Sequence, residues 1–481
     1  MRTGLRISDV SAGREANPIS LVCLFFIIFI FPTVVKAEPV DLLIKSYKKQ
    51  VSDQEKASSA VPEKSGLAEF SRKLEEQKKR WQELIKKSPQ EETPVSRWSE
   101  TGEQDLITQL QKSVTLELLS ACLTKENLEI KAAGKQWEAV LEKFSQADFL
   151  DQILRQYQAF YNQMPSKVTA FPFPGITSIK GDLALKEAEI GRLKYRIIFK
   201  RVSTELELTF HERVYLAESR RILMKNIELL KSLEQSALSR YNTAKTGYSN
   251  IIKINVMLEK FRTDLDNIRK AEQTALSRIK FLLNLPEGFQ LGEFKSLETP
   301  AIKLSSDDLY RLAVNNRQEI ELLRKRIEKT NLAITMAEKK IFPDYRLAST
   351  GETSLPSKVW FGTANAYVRE ARLTYQSLQK ELESALRELR SQLAAEREKW
   401  KNSERNIKLY EDTLMKLAGD DLKVSLKDYQ GGKAGFMDLL EAEKSLLKFQ
   451  LAYKKALKNH RQSKARLQEL TGAALPVKDG K

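Results

Sequence analysis

The placement of proline constrains this chain most. Prolines stand at 174 and 286 with none between, and again at 356 and 476 with none between. Proline inside a helix removes a backbone hydrogen bond and clashes with the preceding turn. Two proline-free runs of over 100 residues are therefore free to be helical throughout. Both are rich in Leu, Ala, Glu, Lys, Gln and Arg, the residues that lose least on entering a helix. A helix of about 60 residues is about 90 Å long, far more than a globular domain can use. The apolar positions keep helical step: Leu223, Ile227, Leu230, Ala237 and Tyr241 mark one face. Leu439, Leu446, Tyr453, His460 and Leu467 recur every seven residues, the period of helices that supercoil left-handedly against neighbours. His460 in that series reads as a seam residue rather than a ligand.

The two runs are copies of one another. Tyr241-Asn-Thr-Ala-Lys245-Thr-Gly247-Tyr248-Ser-Asn250-Ile251-Ile252 recurs as Tyr429-Gln-Gly-Gly-Lys433-Ala-Gly435-Phe436-Met-Asp438-Leu439-Leu440, at a constant offset of 188. Tyrosine, lysine, glycine, an aromatic, Asn or Asp and two aliphatics return in register. Glycine near a helix end supplies a left-handed cap, and Asn or Asp can cap the next helix, so each copy predicts a tight turn between antiparallel helices. Upstream, Ala170-Phe-Pro-Phe-Pro-Gly175 precedes the first run and Ile341-Phe-Pro-Asp-Tyr-Arg346 the second; Arg192-Leu193-Lys194-Tyr195 matches Arg372-Leu373-Thr374-Tyr375 at an offset of 180. The expected fold is mainly α: duplicated long antiparallel helical hairpins with two short β-hairpins. Each unit, at about 190 residues, is too long for a solenoid repeat.

The rest of the chain frames this duplication. Arg2, Arg6 and Arg14 precede an apolar stretch from Ile19 to Val35, and Val35-Lys36-Ala37 offers small residues for processing, so 1–37 reads as a signal peptide. The alternative is a short membrane anchor, for which the stretch is marginal in length. Residues 38–102 form a polar N-terminal extension, expected to be partly disordered, with a charged helical patch near Phe70 to Lys87. Residues 103–290 and 291–475 hold the two repeats, and 476–481 a tail. Cleavage after Ala37 would leave Cys122 as the single cysteine, which excludes an intramolecular disulfide. The net charge is +17, but acids and bases interleave, as from Glu381 to Arg390, which marks solvated helix faces rather than a nucleic-acid surface. Two histidines, His211 and His460, and no nucleophile elbow, phosphate loop or metal-ligand cluster give no basis for an enzyme, a cofactor or a metal site.

From about Leu106 to Gly472 the sequence resembles the outer membrane efflux protein family, typified by TolC. The two turn motifs carry the resemblance, with Asn316-Arg317-Gln318-Glu319, Ala337, Phe342-Pro343, Leu285-Pro286 and Leu470-Thr471-Gly472 in support. It implies an α-helical barrel protomer, a homotrimer, an outer-membrane location with a long periplasmic portion, and a periplasmic adaptor and an inner-membrane pump as partners. The function implied is a passive conduit in a tripartite efflux or type I secretion system. The competing reading is a periplasmic coiled-coil protein, structural or adaptor-like, without the membrane barrel.

The resemblance also assigns site residues. Asp438 and Glu441 occupy the positions of an acidic pair that rings the periplasmic aperture, where six carboxylates in a trimer would disfavour anions. The same two residues read equally as a helix cap and a first-turn charge. Tyr429 matches a tyrosine of the closed state, with Gly435, Gly247 and Asn250 completing the turns. The sequence departs from the pattern at Ala434 and Asn250, where charged partners are expected, leaving a Tyr429–Asn250 hydrogen bond as the substitute. Membrane strands need about ten residues each. The candidates, Tyr345 to Phe361 and Ala170 to Lys180, are shorter and hold Pro356, Pro172 and Pro174. Phe171, Phe173, Trp360 and Phe361 are the residues then expected to touch the membrane, or else to cap the helical bundle.

Overall fold

The computed structural model describes residues 65–87, 103–145, 168–170, 175–242, 247–295, 305–341, 346–347, 361–431 and 433–475. In chain order the elements are α1 (Ser65–Lys86), α2 (Glu103–Lys112), β1 (Ser113–Val114), α3 (Leu116–Glu126), α4 (Leu128–Ser145), β2 (Val168–Ala170), α5 (Gly175–Asn242) and α6 (Tyr248–Leu282). The second half continues with β3 (Glu293–Phe294), α7 (Ser306–Asn316), α8 (Gln318–Ile341), β4 (Arg346–Leu347), α9 (Phe361–Leu409), one wide π turn (Tyr410–Leu414), α10 (Met415–Gln430) and α11 (Phe436–Thr471). Helix α5 has 68 residues, which makes it about 100 Å long.

The duplication extends beyond the turns. Thr115 caps α3 by accepting the Leu118 N–H, and Ser305 caps α7 by accepting the Asp308 N–H. Both are serine or threonine caps of 11-residue helices. Each short helix then turns into the next at a buried amide side chain. Asn127 Nδ2 donates to the Leu282 carbonyl at 2.8 Å, and Gln318 Nε2 to the Gly472 carbonyl at 3.1 Å. Each amide therefore pins the end of its own repeat's last long helix. Among the described residues two have positive φ, Asn284 (φ 52°) and Gly472 (φ 68°), again separated by 188. A left-handed residue after a helix redirects the chain while satisfying terminal carbonyls.

Three apolar clusters hold the helices. The first joins α1, α2, α3, α4, the first half of α5 and the end of α6, around Trp137, Leu123 and Phe210. Its Trp81 and Leu84 come from α1, and Gln77 Nε2 donates to Asp182 Oδ1 at 2.9 Å, so this part of the polar extension is packed helix. The second gathers the far end of α5, the start of α6, the end of α10 and the start of α11. The third joins α7, α8, α9 and α11. Helix α5 packs on α6 and α11, and α11 on α10, giving the order α6–α5–α11–α10 at the turn end.

One ion cluster stitches α5 to α6. Glu272 is 8% exposed and receives Arg213 at 3.1 Å and Arg220 at 3.2 Å, while the Arg213 guanidinium lies 5.2 Å from the Phe294 ring centre. Replacing Glu272 with alanine is expected to cost about 3 kcal/mol, because it leaves the half-buried Arg213 charge uncompensated. The denaturant midpoint measures it, and an unchanged midpoint would refute the assignment.

The β segments differ from expectation. Strand β2 pairs antiparallel with β4, across a bulge, so among the described residues this pairing joins the two halves; most of the second candidate hairpin, Tyr345 to Phe361, lies outside the described residues. The candidate hairpin at Ala170 to Lys180 is strand only to Ala170 and helix from Gly175. The reason is local: Pro172 and Pro174 cannot donate to a ladder, and a proline just before Gly175 is no obstacle to a helix that starts there. Among the described residues no helix is long and apolar enough to cross a membrane.

Candidate functional site

The two duplicated turns lie at one end of the helical array, because both feed the second apolar cluster. A glycine near each helix end is expected to supply a left-handed cap, and Gly247 and Gly435 are the glycines common to both turns. They are instead extended N-caps of α6 and α11, with φ −80° and −73°. At the second turn the Lys433 and Ala434 N–H groups both donate to the Asp428 carbonyl and close α10. Glycine at 435 has a different cause. The Asp438 carboxylate reaches back to the Gly435 N–H at 2.9 Å, and a Cβ at 435 would meet Asp438 Oδ2 at 3.2 Å. At Gly247 a Cβ would meet nothing within 4 Å. The Asn250 and Asp438 N–H groups make the same contact in each copy, to the Gly247 and Gly435 carbonyls at 3.1 and 3.2 Å.

An aromatic pair backs each turn. Tyr241 and Tyr248 have ring centres 5.6 Å apart, and Tyr429 and Phe436 5.4 Å. The copies differ in burial. The first pair is 44% and 57% exposed, the second 6% and 4%. The second turn is thus anchored in the core, with Asp438 and Glu441 exposed beside it. Its Asp438 carboxylate both caps α11 and faces solvent. Phe171, Phe173 and Trp360 lie outside the described residues, and Phe361 is the first residue of α9.

Glu443 carries no motif in the sequence. This residue sits one turn beyond the acidic pair, is 2% exposed, and its Oε2 meets no hydrogen-bond partner among the described residues. Burial pushes its carboxyl above the ordinary carboxylate range. Its only signal was position: Leu439, Leu440 and Leu447 on either side of it face the core, and the same helical face includes 443.

No protein-family model and no curated protein matches the sequence. Solved structures do match. A membrane protein from Pseudomonas aeruginosa aligns over 80% of this chain and 96% of its own, at 12% identity and TM-score 0.61. CusC, described through its folding and transmembrane channel formation, aligns over 75% and 92%, at 12% identity and TM-score 0.59. The outer membrane protein VceC of Vibrio cholerae aligns over 64% and 78%, at 18% identity and TM-score 0.53. At 12–18% identity these likenesses rest on the fold, and the chain has the fold of the TolC-like outer-membrane channel proteins.

Proposed function

We propose that this chain is the subunit of a homotrimeric, passive outer-membrane and periplasmic conduit serving an efflux or secretion system. The observation that carries the reading is the helix order α6–α5–α11–α10, which leaves one helix of each repeat as an edge. Edge α6 exposes Tyr248, Ile252 and Val256; edge α10 exposes Leu417 and Val424. Two unlike apolar edges on one subunit favour head-to-tail packing, which closes into a ring when the rotation allows. The likeness to channel folds supports three as the number. It also supports a periplasmic adaptor and an inner-membrane pump as the partners at the turn end.

In such a ring the second turns of three chains bring together Asp438 and Glu441, six carboxylates around one opening. Fixed negative charge at a constriction admits cations and retards anions. No chemical step is required of the protein, which fits a site built from caps and aromatic pairs.

The test uses mature protein in mild detergent and in planar bilayers. Trimers by light scattering and ion conductance are expected. D438N with E441Q should lower cation selectivity while trimers persist. Monomeric, water-soluble protein without conductance would overturn the reading in favour of a structural periplasmic coiled-coil protein.

A further inference from the structure

The seam between α5 and α11 ends, near the turns, in two buried polar atoms, Asn226 Oδ1 and Glu443 Oε2, that meet no hydrogen-bond partner among the described residues. Along α5, Leu208, Glu212, Tyr215, Ser219, Ile222 and Asn226 follow one another at steps of four and three, a single face of the helix. The upper part of that face is engaged by α11. Gln462 Nε2 donates to the Leu208 carbonyl at 3.0 Å, Lys458 pairs with Glu212 at 2.9 Å and lies 4.7 Å from the Tyr215 ring centre, and Lys454 pairs with Glu218 at 3.3 Å. The helices run antiparallel. Continuing their register from Lys454 down to Glu443 reaches the α5 turn that holds Asn226, Ile227 and Leu230.

Asn226 is 7% exposed. Its Nδ2 donates to the Ile222 carbonyl at 2.9 Å, and its Oδ1 is buried without a donor. Glu443, which that register brings to within one turn of Asn226 on the facing helix, has an equally buried Oε2. Both atoms are acceptors when the carboxyl is ionised, so they cannot satisfy each other. One proton makes them complementary. An unmet buried acceptor costs about 1–3 kcal/mol, and an ionised carboxylate more.

We propose that Glu443 carries a proton in the closed turn end and donates it in a hydrogen bond to Asn226 Oδ1, so that a single proton fastens the α5–α11 seam. The charged groups nearby do not replace it. On α5 these are Lys225, Glu228 and Lys231; on α6, Arg262, Asp264 and Asp266; on α10, Lys423, Asp420 and Asp421; on α11 itself, Glu441, Lys444 and Lys448. All are exposed except the half-buried Asp264. Arg262 and Lys423 are engaged by Glu259 and Asp420. The upward push on Glu443 comes from burial alone.

The direction follows from linkage. A carboxyl whose closed-state affinity for the proton exceeds its open-state affinity stabilises the closed form at low pH. That contribution is lost as pH rises through the closed-state value. The seam at the turn end is therefore tightest in acid and loosens toward neutral pH, with opening rising by up to about tenfold per pH unit inside the window.

Hydrogen exchange of the full-length mature protein tests this, read on peptides covering 223–233 and 436–447 and corrected for intrinsic base catalysis. Wild type should show opening that increases between about pH 4.5, the ordinary carboxylate range, and pH 8. E443Q keeps a donor at every pH and should hold the acid-form protection with a flat profile. N226L removes the acceptor and should lose protection at acid pH. A flat wild-type profile, or E443Q with the wild-type slope, would overturn the proposal. The seam lies within one chain, so these outcomes are independent of whether the protein conducts.

Discussion

Replacing Gly472 with alanine should destabilise the protein by about 3 kcal/mol, among the largest effects of any single methyl group here. Two costs combine. At φ 68° the residue is left-handed, where any Cβ crowds the following carbonyl by roughly 1–2 kcal/mol. The new Cβ would also lie 2.4 Å from the Asn316 carbonyl oxygen and 2.8 Å from Arg317 Cα, both backbone and unable to swing aside. Relief requires moving the α7–α8 junction off the end of α11. That breaks the hydrogen bond from Gln318 to the Gly472 carbonyl and disturbs Thr471, which is fully buried and bonds the Leu467 carbonyl at 2.9 Å. Asn284 is the internal control. It holds the equivalent conformation in the first repeat with a side chain already in place, so N284G should change stability by only a few tenths of a kcal/mol. Denaturant midpoints of the two variants decide the matter; a G472A loss below about 1 kcal/mol would mean that the junction slides freely.

That contrast shows what the sequence could and could not reveal. The offset of 188 between Tyr241 and Tyr429 is legible because identical turns need similar residues in register. The junctions at Asn127 and Gln318 are equivalent in space yet differ in residue and by one position, so similarity of letters does not expose them. The proline-free run after 356 predicts one long helix up to the turn that begins at Tyr429. It contains a π turn at Tyr410–Leu414, beside which Tyr453 donates to Glu411 at 3.1 Å. Nothing in Tyr-Glu-Asp-Thr-Leu resists the α conformation, and a wide turn of this kind depends on neighbours. Glycine recurs at 247 and 435 in both turns, yet both are extended N-caps, and composition cannot distinguish a left-handed helix end from an extended helix start. Glu443 was invisible for a simpler reason. A glutamate among lysines on a helix reads as solvated, and only tertiary packing shows that this one faces inward.

The edges yield the second large effect. V424D on α10 and V256D on α6 should each convert trimers to monomers while leaving the monomer's own stability nearly unchanged. Both valines are exposed in the single chain, at 57% and 65%, and exposed substitutions typically shift folding by half a kcal/mol or less. In the proposed closed ring a neighbouring subunit would cover the same positions, and a carboxylate there would have to be dehydrated without a designed partner. A cost of about 3 kcal/mol per contact weakens each interface about 100-fold, and a ring repeats that cost at every contact. The charges on the edges are complementary as well. Between 248 and 282 there are seven Lys/Arg against four Asp/Glu, while between 410 and 430 there are three against five. Opposite edges therefore attract and like edges repel, which favours head-to-tail rings over two-fold dimers. V424D adds to an already acidic edge, so its remaining defect should arise from dehydration; V256D lowers the positive charge of α6 and should also weaken the salt dependence of assembly. L128D, at an exposed position (62%) in the first turn of α4, is the control and should leave trimers intact. Light scattering across a salt series separates these cases. If V256D and V424D both remain trimeric, the two edges do not meet, and the subunits must associate through another face of the helices.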